Sequence, residues 1–219
     1  MWGSRKVEGR IPPCFAIGFW THHLDVFGMD AEHYSHESLG FLAVRQREPH
    51  GFFGGYLIVN ARARPVEFHC TLPVQPTRAQ QILYGKTLIE TVCGELIGRA
   101  LVDKATARPR LVLSDCEAVL ALRHWVDLPI VHVVRPQEHV DSAEGFLVPE
   151  SAYAEGVDAP SRYVRRVRDG VTFSCISSYV RDLDSLSEID AFDGRVDWFE
   201  PFSRIVEALA EAHPRSRAA

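Results

Sequence analysis

The stretch VEFHC, residues 66–70, sets a histidine beside a cysteine in a short apolar run. Adjacent in sequence, the two could serve as base and nucleophile, or as metal ligands. The strand period argues against a direct partnership. Successive side chains on a strand point to opposite faces. Val66, Phe68, Cys70 and Leu72 therefore share one face, and Glu67, His69 and Thr71 share the other. The first set is apolar and the second polar, which is the alternation of a half-buried strand. Cys70 then reads as a small core residue. Glu67 and His69 read as neighbours on the outer, polar face.

More donors precede this strand. His22, His33, His36 and Glu37 lie upstream of Glu67 and His69. Imidazoles and carboxylates bind zinc and other first-row metals. The candidate ligands are His22, His33, His36 and His69, and the candidate catalytic groups are Glu67, His69 and Glu37. They would suit a small metal-dependent hydrolase with zinc as its cofactor. No H-E-x-x-H spacing is present, and His33 and His36 share a face only on a helix. The competing reading is a polar loop rich in histidine.

Ser114-Asp115-Cys116 sits where a strand gives way to a helix, the end of a parallel strand at which ligands gather. Gly54 and Gly55, inside another strand, mark a bulge or a close approach to the backbone. Ser114, Asp115, Gly54 and Gly55 are the candidate ligand-binding residues. The plainer reading of Ser114 and Asp115 is a helix cap. Asp115 and Glu117 also oppose activation of the Cys116 thiol that they flank.

Two further stretches suit a partner. Arg162, Arg165, Arg166 and Arg168 form a basic run, and an acidic stretch from Asp182 to Asp193 could face it instead. WFEPF, residues 198–202, supplies Trp198, Phe199 and Phe202. With Arg165 and Arg166 these are the candidate partner-binding residues. Docking of the aromatic stretch on the parent sheet is the competing reading.

Nucleotide and hydrolase fingerprints, G-x-x-x-x-G-K-[ST], G-x-G-x-x-G and G-x-S-x-G, are absent from the sequence. The net charge of -5 argues against general nucleic-acid binding. Five cysteines at wide spacing, with no C-x-x-C, read as reduced thiols of a cytoplasmic protein. No long apolar run or secretory leader is apparent, so no membrane association is expected.

The elements that must position these groups follow from periodicity. CFAIGFW (14–20) reads as a strand. LGFLAV (39–44), FFGGYLIVN (52–60) and PVEFHCTL (65–72), joined by short polar links, predict a three-stranded antiparallel meander. Thr77 and Gln80 have capping-box spacing. A long helix should follow, with Ile82, Leu83, Ile89, Val92, Cys93, Leu96, Ile97, Ala100 and Leu101 on its buried stripe, and Gly85 dividing it. RLVLSD, a helix from about Asp115 to Trp125, and IVHVV predict a βαβ unit. Asp169-Gly170 predicts a hairpin. Asp197 and Glu200 have the spacing to cap a final helix.

The fold class expected is α+β: a meander on a long helix, a βαβ segment, and a C-terminal hairpin plus helix. The organisation expected is a core over residues 1–135, a loop or linker over 136–161, and a hairpin and helix over 162–219 packed on that core. In function the chain reads as a cytosolic regulatory or interaction protein without catalysis, binding a partner protein, a second copy in a homodimer, or a small ligand. The metal-dependent hydrolase is the alternative.

Overall fold

The computed structural model describes residues 19–22, 38–134, 145–149, 162–191 and 197–214, with 19–22 and 188–191 described by backbone alone. The structure is of mixed α and β composition. Eight strands form one sheet in the order β1-β4-β3-β2-β5-β6-β8-β7. They are β1 (Phe19–His22), β2 (Ser38–Arg47), β3 (Gly51–Asn60), β4 (Pro65–Thr71), β5 (Leu111–Ser114), β6 (Ile130–Val134), β7 (Tyr163–Arg168) and β8 (Val171–Ile176). β2, β3 and β4 pair antiparallel in sequence order, and β1 joins β4 antiparallel. β5 pairs parallel with both β2 and β6. β8 returns antiparallel to β6 and pairs with β7 through a turn in which Asp169 and Gly170 both have positive φ. That is the backbone of the two-residue hairpin turn that Asp-Gly favours.

Helices cover both faces. On one side lie α1 (Arg78–Tyr84), α2 (Leu88–Glu90), a π-helical stretch (Thr91–Gly98) and α3 (Arg99–Lys104), followed by a 3-10 stretch (Glu117–His124). Leu42, Val44, Tyr56, Ile58 and Val112 meet Val92, Ile97, Leu101 and Val119 in that layer. On the other side lies α4 (Glu200–Ala212), whose Phe202, Ile205, Val206 and Leu209 pack on Leu39, Phe41, Phe53 and Leu57. A sheet covered on both faces needs strands that are apolar on both, as LGFLAV is.

This second layer corrects the reading of VEFHC. Glu67, His69 and Thr71 do not face solvent: all three are buried, because the helices of the Arg78–Lys104 region cover their face. Cys70 lies in the α4-side core, as strand parity requires. Leu72 is 41% exposed because β4 ends at Thr71, before it.

Two helix starts also differ from expectation. The segment after β5 is a 3-10 stretch with Cys116 at its N-cap; Ser114 Oγ accepts from the Cys116 amide instead of capping an α-helix. α4 starts at Glu200 with Phe199 at its N-cap. Asp197 Oδ1 accepts from the Phe199 amide at 2.9 Å, closing a turn before the helix instead of capping it. Gly85, at φ 49°, ends α1 and turns the chain into a short 3-10 turn, so the stripe expected through Ile82 and Leu83 is broken there.

Candidate functional site

α1 has the most unusual surface among the described helices. Its N-terminus is secured by a full capping box: Gln80 Oε1 accepts from the Thr77 amide at 2.7 Å, and Thr77 Oγ1 accepts from the Gln80 amide at 3.3 Å. The preceding segment is tied to β3 by a reciprocal backbone bridge between Phe52 and Val74. The helix is therefore held, yet the one residue it buries is the polar Gln80. Ile82 and Leu83 are 65% and 82% exposed. Its amphipathicity is inverted with respect to its own core. From Glu67 to Glu90 the chain carries no other acidic residue, while Arg78 and Lys86 flank the apolar pair.

Glu67 and His69 do meet, inside the helical layer. His69 Nε2 lies 2.6 Å from Glu67 Oε1. The same carboxylate accepts from the amides of Thr106, at 2.9 Å on Oε1, and Ala107, at 2.8 Å on Oε2. Burial raises the Glu67 pKa, but the Ala107 and Thr106 amides and His69 outweigh it, and the carboxyl lies below its ordinary value. The carboxylate fastens the α3–β5 link to β4.

The end of β5 also carries charge. Asp115 forms a two-pronged ion pair with Arg45, Oδ1 at 2.9 Å and Oδ2 at 2.5 Å, with both side chains fully buried. Sequence reading passed over Arg45. Its signal was parity: it shares a strand face with Leu39, Phe41 and Ala43, an odd position for a solvated cation. Ser114, His132, Ser174 and Arg165 are paired in register across four strands, and His132 Nδ1 lies 3.1 Å from Ser174 Oγ. Burial holds the His132 pKa down at about 4; Arg165 adds to this, and the Asp115 charge and carbonyl oppose it. Ser114 and Asp115 are thus engaged with protein groups.

Gly54 and Gly55 mark a close approach, but of helices. A Cβ at Gly54 would stand 2.1 Å from Ile97 Cγ2, and one at Gly55 would stand 2.4 Å from Ile205 Cγ2. Adjacent residues of one strand thus admit the two helical layers from opposite faces. That space is occupied by side chains, which corrects the ligand-binding reading of the pair.

Phe202 is fully buried, edge-on to Phe41 at 5.4 Å, and Trp198 stacks edge-on to Phe173 at 5.3 Å. Phe199 is partly buried against the same core. Arg166 donates to the Leu183 carbonyl and to Asp184, so the basic hairpin meets the acidic stretch. Arg165 is exposed on the edge strand. His33, His36 and Glu37 lie outside the described residues. His22 is known by backbone register alone, opposite Phe68, with Thr21 opposite His69. Among the described residues, no group of three or more His, Cys, Asp or Glu comes together to hold a metal.

No family model matches this sequence, and no curated protein matches it. No helix among the described residues is long and apolar enough to cross a membrane.

Proposed function

We propose that this chain is a cytoplasmic binding protein that works through a macromolecular contact, with α1 as its docking element. The observation that carries the reading is the inverted helix: capped and anchored, with Ile82 and Leu83 turned to solvent. Helix-in-groove recognition uses such apolar anchors. The flanking Arg78 and Lys86, in a stretch without carboxylates, match a protein partner whose apolar groove is rimmed by acidic residues. A symmetric α1–α1 contact between two copies would bring like charges together, so a foreign partner is the better fit. The buried, unbridged thiols Cys93, Cys116 and Cys175 support the cytoplasmic placement.

A photo-crosslinking residue at position 83, in cells that make the protein, tests this. The expected result is an adduct with a partner protein, mapping to acidic and apolar peptides. It should weaken as salt rises and vanish in the Ile82→Asp variant. The same residue at Asp169 should give none. Adducts with the chain's own peptides would replace the foreign partner by a homodimer. Equal labelling from both positions would overturn the reading.

The metal-dependent hydrolase has one observation in its favour, the contact of His69 with Glu67. Stoichiometric zinc in the purified protein, lost in His69→Ala, would favour it over the binding reading.

A further inference from the structure

α1 joins the rest of its helical layer through a bend at one residue. Tyr84 before Gly85, and Leu88 after it, keep a right-handed helical backbone. Between them Gly85 stands at φ 49° and ψ -122°. These angles are close to the mirror image of the first central residue of a type II turn. An L side chain avoids that backbone and its D counterpart adopts it freely. Up to the bend the bonds are helical: the Gly85 amide donates to the Gln81 carbonyl. Beyond it the chain tightens, and the Leu88 amide donates to the Gly85 carbonyl, three residues back. A Cβ on Gly85 would meet nothing within 4 Å, so among the described residues no neighbour wedges the bend in place. α1 itself buries Gln80 only, and the Thr77–Gln80 capping box is internal to it and travels with it.

The sequence around the bend is still that of one helix. Ile82 and Ile89 are seven residues apart, which on a continuous α-helix places them within about 20° of one another. Ile89 packs against the core of the helical layer, whereas Ile82 is 65% exposed. Rotation of the Gly85 backbone into the right-handed helical region would join α1 to the segment that follows. Glycine takes either sign of φ, so both arrangements are open to it. We propose that Gly85 is a hinge with two settings. In the bent setting α1 presents Ile82 and Leu83. In the straight setting α1 and α2 run as one helix, and Ile82 returns to the side of Ile89. The Gln75–Thr77 link, which follows the Val74 bridge, takes up the movement at the other end of α1. The proposal rests on the reading of α1 as the docking element and adds its control: a partner holds the bent setting, and the straight setting withdraws Ile82.

The two mirror forms of alanine at position 85 test this on the full chain. L-alanine favours a helix and disfavours positive φ, so Gly85→Ala should shift the balance roughly tenfold or more towards the straight setting. D-alanine, placed there by semisynthesis, should hold the bent one. Nuclear magnetic resonance couplings across hydrogen bonds read the setting. The Leu88 amide should couple to the residue 85 carbonyl carbon in the D-alanine form, and to the Tyr84 carbonyl carbon in Gly85→Ala. In the wild-type chain the amides of residues 82–88 should show millisecond exchange that D-alanine abolishes, a readout that stands if Gly85→Ala does not fold. A photo-crosslinker at position 83, in a lysate of cells that make the protein, should give its partner adduct in the D-alanine form and lose most of it in Gly85→Ala. Movement of the Leu88 coupling with no adduct in any form would support the hinge and remove the docking reading. A Gly85→Ala protein that keeps the bent coupling, flat exchange profiles in the wild-type chain, or adducts of equal strength in both alanine forms would overturn the proposal.

Discussion

Arg45 and Asp115 show how a single pair can govern a region. The desolvation of two charges is offset by their mutual attraction only while both are present. Asp115→Asn should lower stability by about 3–5 kcal/mol, because it removes the negative charge that the buried guanidinium grips with two hydrogen bonds. Arg45→Met combined with Asp115→Leu should recover most of that loss. Urea denaturation of the three variants measures both. His132 sets a second expectation. Its pKa is about 4 in the fold, against an ordinary value of 6.5. Between those values the unfolded chain binds more protons, so stability is complete above pH 6.5 and falls as pH drops towards 4. The difference amounts to about 3 kcal/mol. His213, also lowered by burial, acts in the same direction, whereas the contribution of Glu67 is lost only below its ordinary value of 4.5. Denaturation curves at pH 7, 6 and 5 should shift steadily, and His132→Gln should flatten the trend. At this scale the sequence was partly legible. Parity placed Cys70 in the core and set Glu67 beside His69. It could not say that a helix would cover them, because one strand does not show what packs on its far side.

Among the elements, the helical region after β4 departs most from its sequence pattern. Its apolar spacing runs through Ile82 and Leu83 into Ile89, and periodicity treats that as one face. Gly85, at φ 49°, turns the chain between them, so the first two residues leave the stripe that the others keep. Ile82→Asp and Leu83→Asp should therefore change stability by no more than about 0.5 kcal/mol, as surface substitutions do. A loss of several kcal/mol in thermal unfolding would show that the pair is core after all. Thr77→Ala removes one arm of the capping box and should cost about 1 kcal/mol. Gly54→Ala and Gly55→Ala should each cost roughly 1–3 kcal/mol, since the added methyl must displace Ile97 or Ile205. The hairpin at Asp169-Gly170 was legible because the turn chemistry is local. The starts of α4 and of the 3-10 stretch were not: a cap is read from residue type and position alone, and at Ser114 and Asp197 the same side chains close shorter turns.

Across the whole molecule, β2, β5 and β6 run parallel between antiparallel wings, with helices on both faces. The mixed α and β character followed from the order of apolar runs. The pairing of β5 with β2 is long-range and left no mark on either strand. Gly54 links the residue scale to this one. Its amide donates to Thr71 Oγ1 at 3.0 Å, and the space above it is filled by Ile97 and Leu101. One residue later, Ile205 and Leu209 press on the opposite face. Deuterium can replace the Gly54 hydrogen only after the Ile97–Leu101 helix lifts and the strand loosens, so this amide should be among the last in the protein to exchange. Its rate would then report the opening of the whole molecule, a single-atom clock for global unfolding.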